Sequence, residues 1–382
     1  MRILHLSDRL TDRGGAHWHL LGVIRALVEQ GHDVRLAVGS HESHVPPPCP
    51  VEIVPALASR DRSDAVELDA VTSAFGPDVI HVHTVVNPTV LEWAAGRGAV
   101  ITVQDHRYFC PTRGKWTVAG HVCAEPMTPG MCAGCFDDEP YFRDVYALTA
   151  ARLQAVRRMR IVVLSHYMKR ELMAVGVPEQ QVSVVPPFVH GLDRDARPDG
   201  PPCVLFVGRL SPTKGPIEAA EAWRLSGLDL PMVVAGAGPM RQGLEKRGAE
   251  VLGWLDHRRL SALYRRARVV VMPSRWQEPF GIAGLEALAM GTPVVAWRSG
   301  GVEEWHPGDG LVPWGDVPAL AAALRAAVGR RAAAPEGFER ETQMQRLSDV
   351  YLNAFRGRGA NAESKLNPVA GSSATVLPAR SP

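Results

Sequence analysis

The chain has 382 residues, more than one typical hydrophobic core serves, so two domains are expected. Lys and Arg total 42 against 40 Asp and Glu, a net charge of +2, which gives no basic field for nucleic acid and none for a heavily anionic surface. No apolar run approaches membrane-spanning length, MRILHLSD opens as a strand rather than a secretion signal, and six cysteines are too few for a disulfide scaffold. An intracellular, reducing, cytoplasmic setting is therefore expected.

In chain order, residues 1–7 read as a strand, and Asp8 to Ala16 as a loop holding Gly14 and Gly15. His17 to Gln30 is a helix with Leu20, Leu21, Ile24, Leu27 and Val28 on one face and Gly31 as its stop. Val34 to Val38 completes a βαβ unit. The glycine pair suits a turn that merely needs glycine, or a backbone that a ligand approaches. DVIHVH, residues 78–83, is a short strand with His81 and His83 on one face. Alternating histidines can suggest a metal, but no third ligand is spaced for one, and they read as structural.

AVITVQ, residues 99–104, is the next strand and delivers Asp105-His106-Arg107-Tyr108-Phe109-Cys110-Pro111. Cys110, Cys123, Cys132 and Cys135 follow as C-x12-C-x8-C-x2-C. Four thiolates would close a tetrahedral structural zinc site and leave no position for catalysis; a disulfide pair and free thiols are the competing readings. Trp116, Tyr141 and Phe142 nearby suit a pocket lining or a small core. A helix over residues 147–159 and strands over 161–165 and 182–187 follow. The Pro-, Asp- and Gly-rich stretch 191–202 marks a linker.

The second half opens with a buried strand ending in Gly208-Arg209-Leu210, then Lys214-Gly215 and a helix. Arg209 offers a planar fork of donors and Lys214 a compact charge, a pair suited to a diphosphate. Residues 232–235 form a strand before a Gly-x-Gly turn. Gly253 and Trp254 lie in the next apolar run, where Trp254 suits stacking on a base or filling a groove. A helix over 260–268 precedes VVVMPSRWQEPFGIAGLEALAMGTPVVAWRSGGVEE, residues 269–304, which reads as strand, loop, helix, strand. Glu278 falls in the loop and Glu286 eight residues on; they share a face if the helix begins near Gly281. The amides of Phe280, Gly281 and Ile282 would then be helix-start donors for an anion or a sugar oxygen, with glycines 281 and 284 admitting a ligand. An Ala-rich helix over 318–328 and a last helix over 339–355 complete the pattern.

E-x7-E, with its embedded P-F-G and trailing G-T-P-V-V-A, resembles the donor site of retaining GT-B glycosyltransferases of family GT4. G-R-L-x-x-x-K-G resembles that family's diphosphate grip, and G-G-x-x-E, ending at Glu304, its turn near the ribose and phosphates. The resemblance implies an α/β GT-B fold, two doubly wound Rossmann-like domains facing across a cleft. Residues 1–190 would be the acceptor domain with a Cys-bearing insert at 106–145, and residues 191–202 the linker. Residues 203–338 would be the donor domain, 339–356 a helix crossing back, and 357–382 a disordered tail. Gly15, Gly208, Arg209, Lys214, Gly253, Trp254, Phe280, Gly281, Ile282, Glu286 and Glu304 are the implied donor contacts, with Glu278 placing the sugar hydroxyls. Relatives carry a His-Asp pair after the fifth strand. Here Gln104 occupies the His place and Asp105 keeps the Asp place, a departure that leaves either His106 or the Gln104 amide to meet the sugar.

The implied activity is transfer of a sugar, with retention and without a catalytic metal, from a nucleotide diphosphate donor such as UDP-glucose or UDP-N-acetylglucosamine. The expected acceptor is a hydroxyl of a soluble small molecule, an aminocyclitol of bacterial antibiotic biosynthesis being one fit. Cell-wall, glycolipid or exopolysaccharide assembly is the alternative within the family, and a turnover-deficient nucleotide-sugar-binding protein the alternative outside it. No catalytic cofactor, no nucleic acid and no integral membrane segment are expected, with structural zinc one of the readings open for the four cysteines.

Overall fold

A computed structural model describes residues 1–366 apart from positions 13, 62 and 113. Seven strands make the first sheet: β1 Arg2–Ser7, β2 Asp33–Val38, β3 Val51–Ile53, β4 Val79–Val82, β5 Val100–Val103, β6 Arg160–Val163 and β7 Val182–Val184. Six make the second: β8 Cys203–Val207, β9 Met232–Ala235, β10 Glu250–Gly253, β11 Ala267–Met272, β12 Val294–Trp297 and β13 Leu311–Val312. The helices are α1 Gly15–Glu29, α2 Val66–Phe75, α3 Pro88–Gly96, α4 Pro129–Ala133, α5 Glu139–Val156 and α6 His166–Ala174 in the first half. The second half carries α7 Pro216–Ser226, α8 Arg241–Glu245, α9 His257–Arg266, α10 Ile282–Ala289, α11 Val317–Ala327 and α12 Arg340–Leu366.

The spatial orders are β3-β2-β1-β4-β5-β6-β7 and β10-β9-β8-β11-β12-β13, every pairing parallel. Parallel sheets need both faces covered, and the runs VITV and VVVM supply apolar side chains to both. Each sheet accordingly has a core cluster on either face. The order reverses beside β1 and beside β8, and in such sheets ligands bind at the carboxyl ends of the strands next to the reversal.

The largest differences from the sequence reading are at two helices. Helix α5 begins at Glu139, eight residues before the expected 147, because Asp138 caps it through the Tyr141 amide and Pro140 sits in its first turn. Helix α12 runs to Leu366, past the expected end at 356; residues 367–382 of the expected tail lie outside the described residues. Helix α12 packs onto the first half. Met344, Leu347, Val350, Tyr351 and Ala354 pack with Ile3, Leu20 and Ile24, and burying side chains of this size contributes about 1.5–3 kcal/mol for each large one. No helix among the described residues is long and apolar enough to cross a membrane.

Candidate active site in the interdomain cleft

The carboxyl ends of both sheets open onto one cleft of about 860 Å³, lined from both halves. On the C-terminal wall, strand β11 ends at Met272 and the loop 273–281 turns into α10. Glu278 is 2% exposed, and its Oε1 accepts from Lys214 Nζ at 2.6 Å and from the Ser274 hydroxyl. Burial alone would raise its pKa, but the ammonium and these hydrogen bonds outweigh it and hold the carboxyl below the usual range. Lys214 is lowered by burial against the opposing pull of Glu278. The Trp276 ring lies 4.5 Å from the Lys214 ammonium and 5.6 Å from the Arg209 guanidinium, stacking distances for cations on an indole. Two cations and an ordered carboxylate thus meet at the end of β8.

Gly281, at φ 90°, caps α10, so the helix starts where the sequence required for Glu278 and Glu286 to converge on one cleft. Glu286 Oε2 accepts from the Tyr264 hydroxyl at 2.9 Å, and its Oε1 lies 3.8 Å from His257 Nε2. Trp18, from the other half, stacks on His257 with ring centroids 3.6 Å apart. Gly15 comes equally close across the cleft: a Cβ there would sit 3.0 Å from the Ile282 methyl. Gly284, expected to admit a ligand, serves packing instead, since a Cβ would lie 2.0 Å from the Trp305 indole. The Phe280 ring is likewise core, against Trp305 and Phe338. Gly208, Arg209 and Trp254 line the cleft; Gly253 spends its carbonyl on the Gly236 amide and is not among the lining residues.

Glu304 was expected at the ribose and phosphates. Its two carboxylate oxygens instead accept from the His166 and Tyr167 amides, both at 2.8 Å, so it caps α6 of the first half. Ser165 completes this joint, its hydroxyl donating to Pro279 O at 2.6 Å.

On the N-terminal wall, β5 ends at Val103, so strand alternation stops before Gln104, Asp105 and His106. All three line the cleft. Asp105 receives the Arg107 guanidinium at 2.8 Å; burial pushes its pKa up, but Arg107 overcomes this and leaves it below the usual value. His106 is lowered to about 4, chiefly by burial, with Asp105 only partly offsetting it. Its Nε2 lies 3.1 Å from the Tyr167 hydroxyl, and its ring faces Trp276 at 5.8 Å. His106 is therefore the neutral imidazole nearest the C-terminal loop, while Gln104 stands 3.4 Å from His83.

The Cys-bearing insert reaches the same loop, Gly114 O accepting from the Gln277 amide at 2.9 Å. Trp116 and Phe142 are buried and Tyr141 is exposed, and none of them lines the cleft. All four insert cysteines are free thiols, only partly buried. Cys132 is raised to about 11 by burial and by the other three sulfurs, so the four share a neighbourhood. Yet among the described residues the metal-capable side chains that converge within 4.8 Å are His5, His81 and His83, and the sulfurs form no such group. The expected tetrahedral zinc set is not assembled in this arrangement. The third histidine that the sequence did not supply comes from β1, which pairs with β4 in register at His5 and His81.

Tyr264, His257, Trp18, Tyr167, Ser274 and Trp276 had not been singled out for the site. Only Trp276 and Ser274 carried a signal, as close neighbours of Glu278; the rest are brought in by packing between elements.

Two family descriptions match the chain: "Glycosyltransferase Family 4" over residues 13–190 and "Glycosyl transferases group 1" over 193–328. A D-inositol 3-phosphate glycosyltransferase of Geodermatophilus obscurus is 30% identical over 402 aligned positions, covering 90% of this chain and 85% of that protein. The chain belongs to glycosyltransferase family GT4. It spans about half the length of other curated relatives, such as an uncharacterized glycosyltransferase of Methanocaldococcus jannaschii, 30% identical over 48% of this chain and 54% of that protein. The solved structure of Anabaena HepE in complex with UDP-glucose superposes with a TM-score of 0.61 over 96% of this chain and 100% of its own. At 17% identity that likeness speaks to the fold, the GT-B arrangement of GT4 enzymes.

Proposed function

We propose that this GT4 chain is a retaining, metal-independent glycosyltransferase that moves a sugar from a uridine diphosphate donor, UDP-glucose or UDP-N-acetylglucosamine, to a hydroxyl of a small soluble acceptor. The observation that carries the reading is the meeting of Lys214, Arg209 and the start of α10 with Glu278 in one cleft, faced by His106. Arg209, Lys214 and the helix start would hold the diphosphate and stabilise its charge as the anomeric C–O bond breaks. Glu278 would orient the donor sugar's hydroxyls and Glu286 the ribose. The acceptor oxygen attacks from the face the diphosphate leaves, the new C–O bond forms there, and the acceptor proton passes to the departing phosphate oxygen. No protein nucleophile is needed, and none is assigned. His106, neutral at pH 7, suits a hydrogen bond to a sugar or acceptor hydroxyl.

For the acceptor we favour a cyclitol or aminocyclitol. The relative aligned over nine-tenths of this chain is named for an inositol phosphate, and a net charge of only +2 gives no strong basic field toward an anionic lipid. Incubation with a panel of nucleotide sugars, with and without cyclitol acceptors, tests the reading. Release of nucleoside diphosphate that depends on the acceptor, with an α-linked product from an α-linked donor, supports it. Donor binding without release under any condition would instead make the chain a binding protein.

A further inference from the structure

Beneath the N-terminal wall lies a file of buried imidazoles that the proposed chemistry does not use. His5 is 0%, His81 1% and His83 2% exposed. His5 Nδ1 lies 2.9 Å from His83 Nε2, and His83 Nδ1 lies 3.4 Å from Gln104 Nε2, an amide end that exchanges places with Oε1 when the side chain is turned over. His81 stands beside this file with both nitrogens engaged, Nδ1 with the Tyr351 hydroxyl of α12 and Nε2 with Thr102, each at 2.7 Å. A metal ion is a poor occupant here. His81 would have to surrender a 2.7 Å partner, and the charges felt at His81 and His83 come from other imidazoles, with no carboxylate among them to offset a cation.

The hydrogen bonds can run in two directions. If His83 carries its proton on Nε2 and donates to His5, then His5 must carry its own on Nε2. That atom has no partner in the core, and an orphaned N–H there is costly. Gln104 would then give its N–H₂ to His83 and leave its carbonyl oxygen buried without a partner. In the opposite direction His5 Nδ1–H donates to His83 Nε2, and His83 Nδ1–H donates to the Gln104 carbonyl. His5 Nε2 is then a bare lone pair, which burial tolerates far better than an unmet donor. The unmet donor is then moved from the deep core to the Gln104 N–H₂, which takes the buried place of the carbonyl oxygen on a residue that lines the cleft, where a ligand oxygen can meet it.

We infer that His83, backed by His5, is a positioning residue that holds the Gln104 amide with its oxygen inward and its N–H₂ left for a substrate oxygen. Burial keeps the file uncharged: His5 is lowered to about 3, and His81 and His83 well below the usual value. Where relatives present a histidine to the sugar, this chain thus presents an amide, whose direction is set by imidazoles one layer deeper. This role rests on the glycosyltransfer reading; the tautomer does not.

The test has two arms. Nitrogen-15 NMR of histidine-labelled protein at pH 7 should find His83 neutral with its proton on Nδ1, and the Gln104→Ala variant should disturb that resonance. A His83 protonated on Nε2, or charged, overturns the inference. So does one equivalent of zinc binding to the wild type and lost in His5→Phe, which would make the cluster a metal site. In the kinetic arm, His83→Phe should lower kcat about fivefold with the donor KM little changed. His83→Asn, whose amide N–H takes the place of Nδ1–H, should restore most of it. With Gln104→Ala already present, His83→Phe should cost nothing further. Additive losses, or an unchanged kcat in a folded His83→Phe variant, overturn the role. If the wild type turns over no donor, the glycosyltransfer reading falls, and the NMR arm still decides the direction of the file.

Discussion

On the C-terminal wall the central side chains sit on a loop and helix of one continuous stretch, Ser274 to Glu286, and are met by Lys214 and Arg209 from the turn after β8 and by His257 and Tyr264 of α9. On the N-terminal wall nothing comparable is continuous. His106 depends on Tyr167 from α6, Gln104 on His83 from the end of β4 and His5 from β1, and Asp105 on Arg107 in its own turn. The first wall grips by charge, with a short ammonium–carboxylate pair under an indole. The second sets imidazoles kept neutral by burial, and an amide, beside the Asp105–Arg107 ion pair. A diphosphate needs fixed cations, whereas an acceptor hydroxyl needs aimed but uncharged donors and acceptors, so under the proposed function the two walls would serve different substrates.

Breaking the charged wall should have the largest effect. Lys214→Ala removes one charge-assisted contact, worth about 1.5–3 kcal/mol, and should lower transfer by roughly ten- to hundredfold or more. It also strands a buried Glu278, a loss of about 3–5 kcal/mol in stability. Adding Glu278→Gln should recover much of the melting temperature and none of the turnover, as calorimetry and kinetics together will show. Equal kinetics in Lys214→Ala and wild type would remove the diphosphate assignment.

The neutral wall should respond more mildly and in kcat. His106→Ala is expected to lose at least about tenfold in turnover with little change in nucleotide affinity, and Gln104→Ala less, because both touch only the reacting end. The reverse order of severity would make the amide the principal sugar contact.

The same wall should be sensitive to acid. His5 at about 3 and His19 at about 4 are neutral in the folded chain, whereas their unfolded values lie near 6.5. Between these limits the unfolded state binds more protons, so stability is full above about pH 6.5 and falls as pH drops toward 4. Thermal melts from pH 7.5 to 4.5 should show that decline, and His5→Phe should flatten part of it. A melting temperature independent of pH across the window would contradict the buried, neutral assignment.

The joint between the walls should matter less. Glu304→Gln weakens the cap on α6 and should cost about 1 kcal/mol, read as a small fall in melting temperature with transfer largely kept. A collapse of donor affinity in this variant would return Glu304 to the donor site. Smallest of all should be the effect of EDTA in a brief assay: no loss of turnover. Prompt loss restored by magnesium or manganese would overturn the metal-independent mechanism.

Legibility followed the same division. Glu278, Glu286, Arg209 and Lys214 could be read because strand ends and helix starts recur at fixed spacing, and a βα unit places such residues at the same end of a parallel sheet. Glu304 was placed differently for a physical reason: a carboxylate at a glycine-rich turn suits a ribose hydroxyl and a helix cap equally, and only the docking of α6 chose the cap. Gly284 was misread in the same way, its lack of a Cβ serving Trp305 rather than a ligand. The C-x2-C spacing indicated zinc, but spacing constrains the backbone along the chain and not the convergence of four sulfurs from separate turns.

Amino-acid order by itself determined the alternation of strands and helices, the two doubly wound sheets and the family, and marked Arg209, Lys214, Glu278 and Glu286 as residues near one sheet's carboxyl end, because each rests on local periodicity or on residues a few positions apart. Tertiary structure alone decided what lies behind the N-terminal wall. His5, His83 and Gln104 belong to three strands or the residues just after them, and Tyr351 reaches His81 from a helix 270 residues further along. Contacts at such separations leave no mark in spacing. They arise when parallel register sets β1 beside β4 and the last helix folds back across them, and burial then determines that these imidazoles stay neutral.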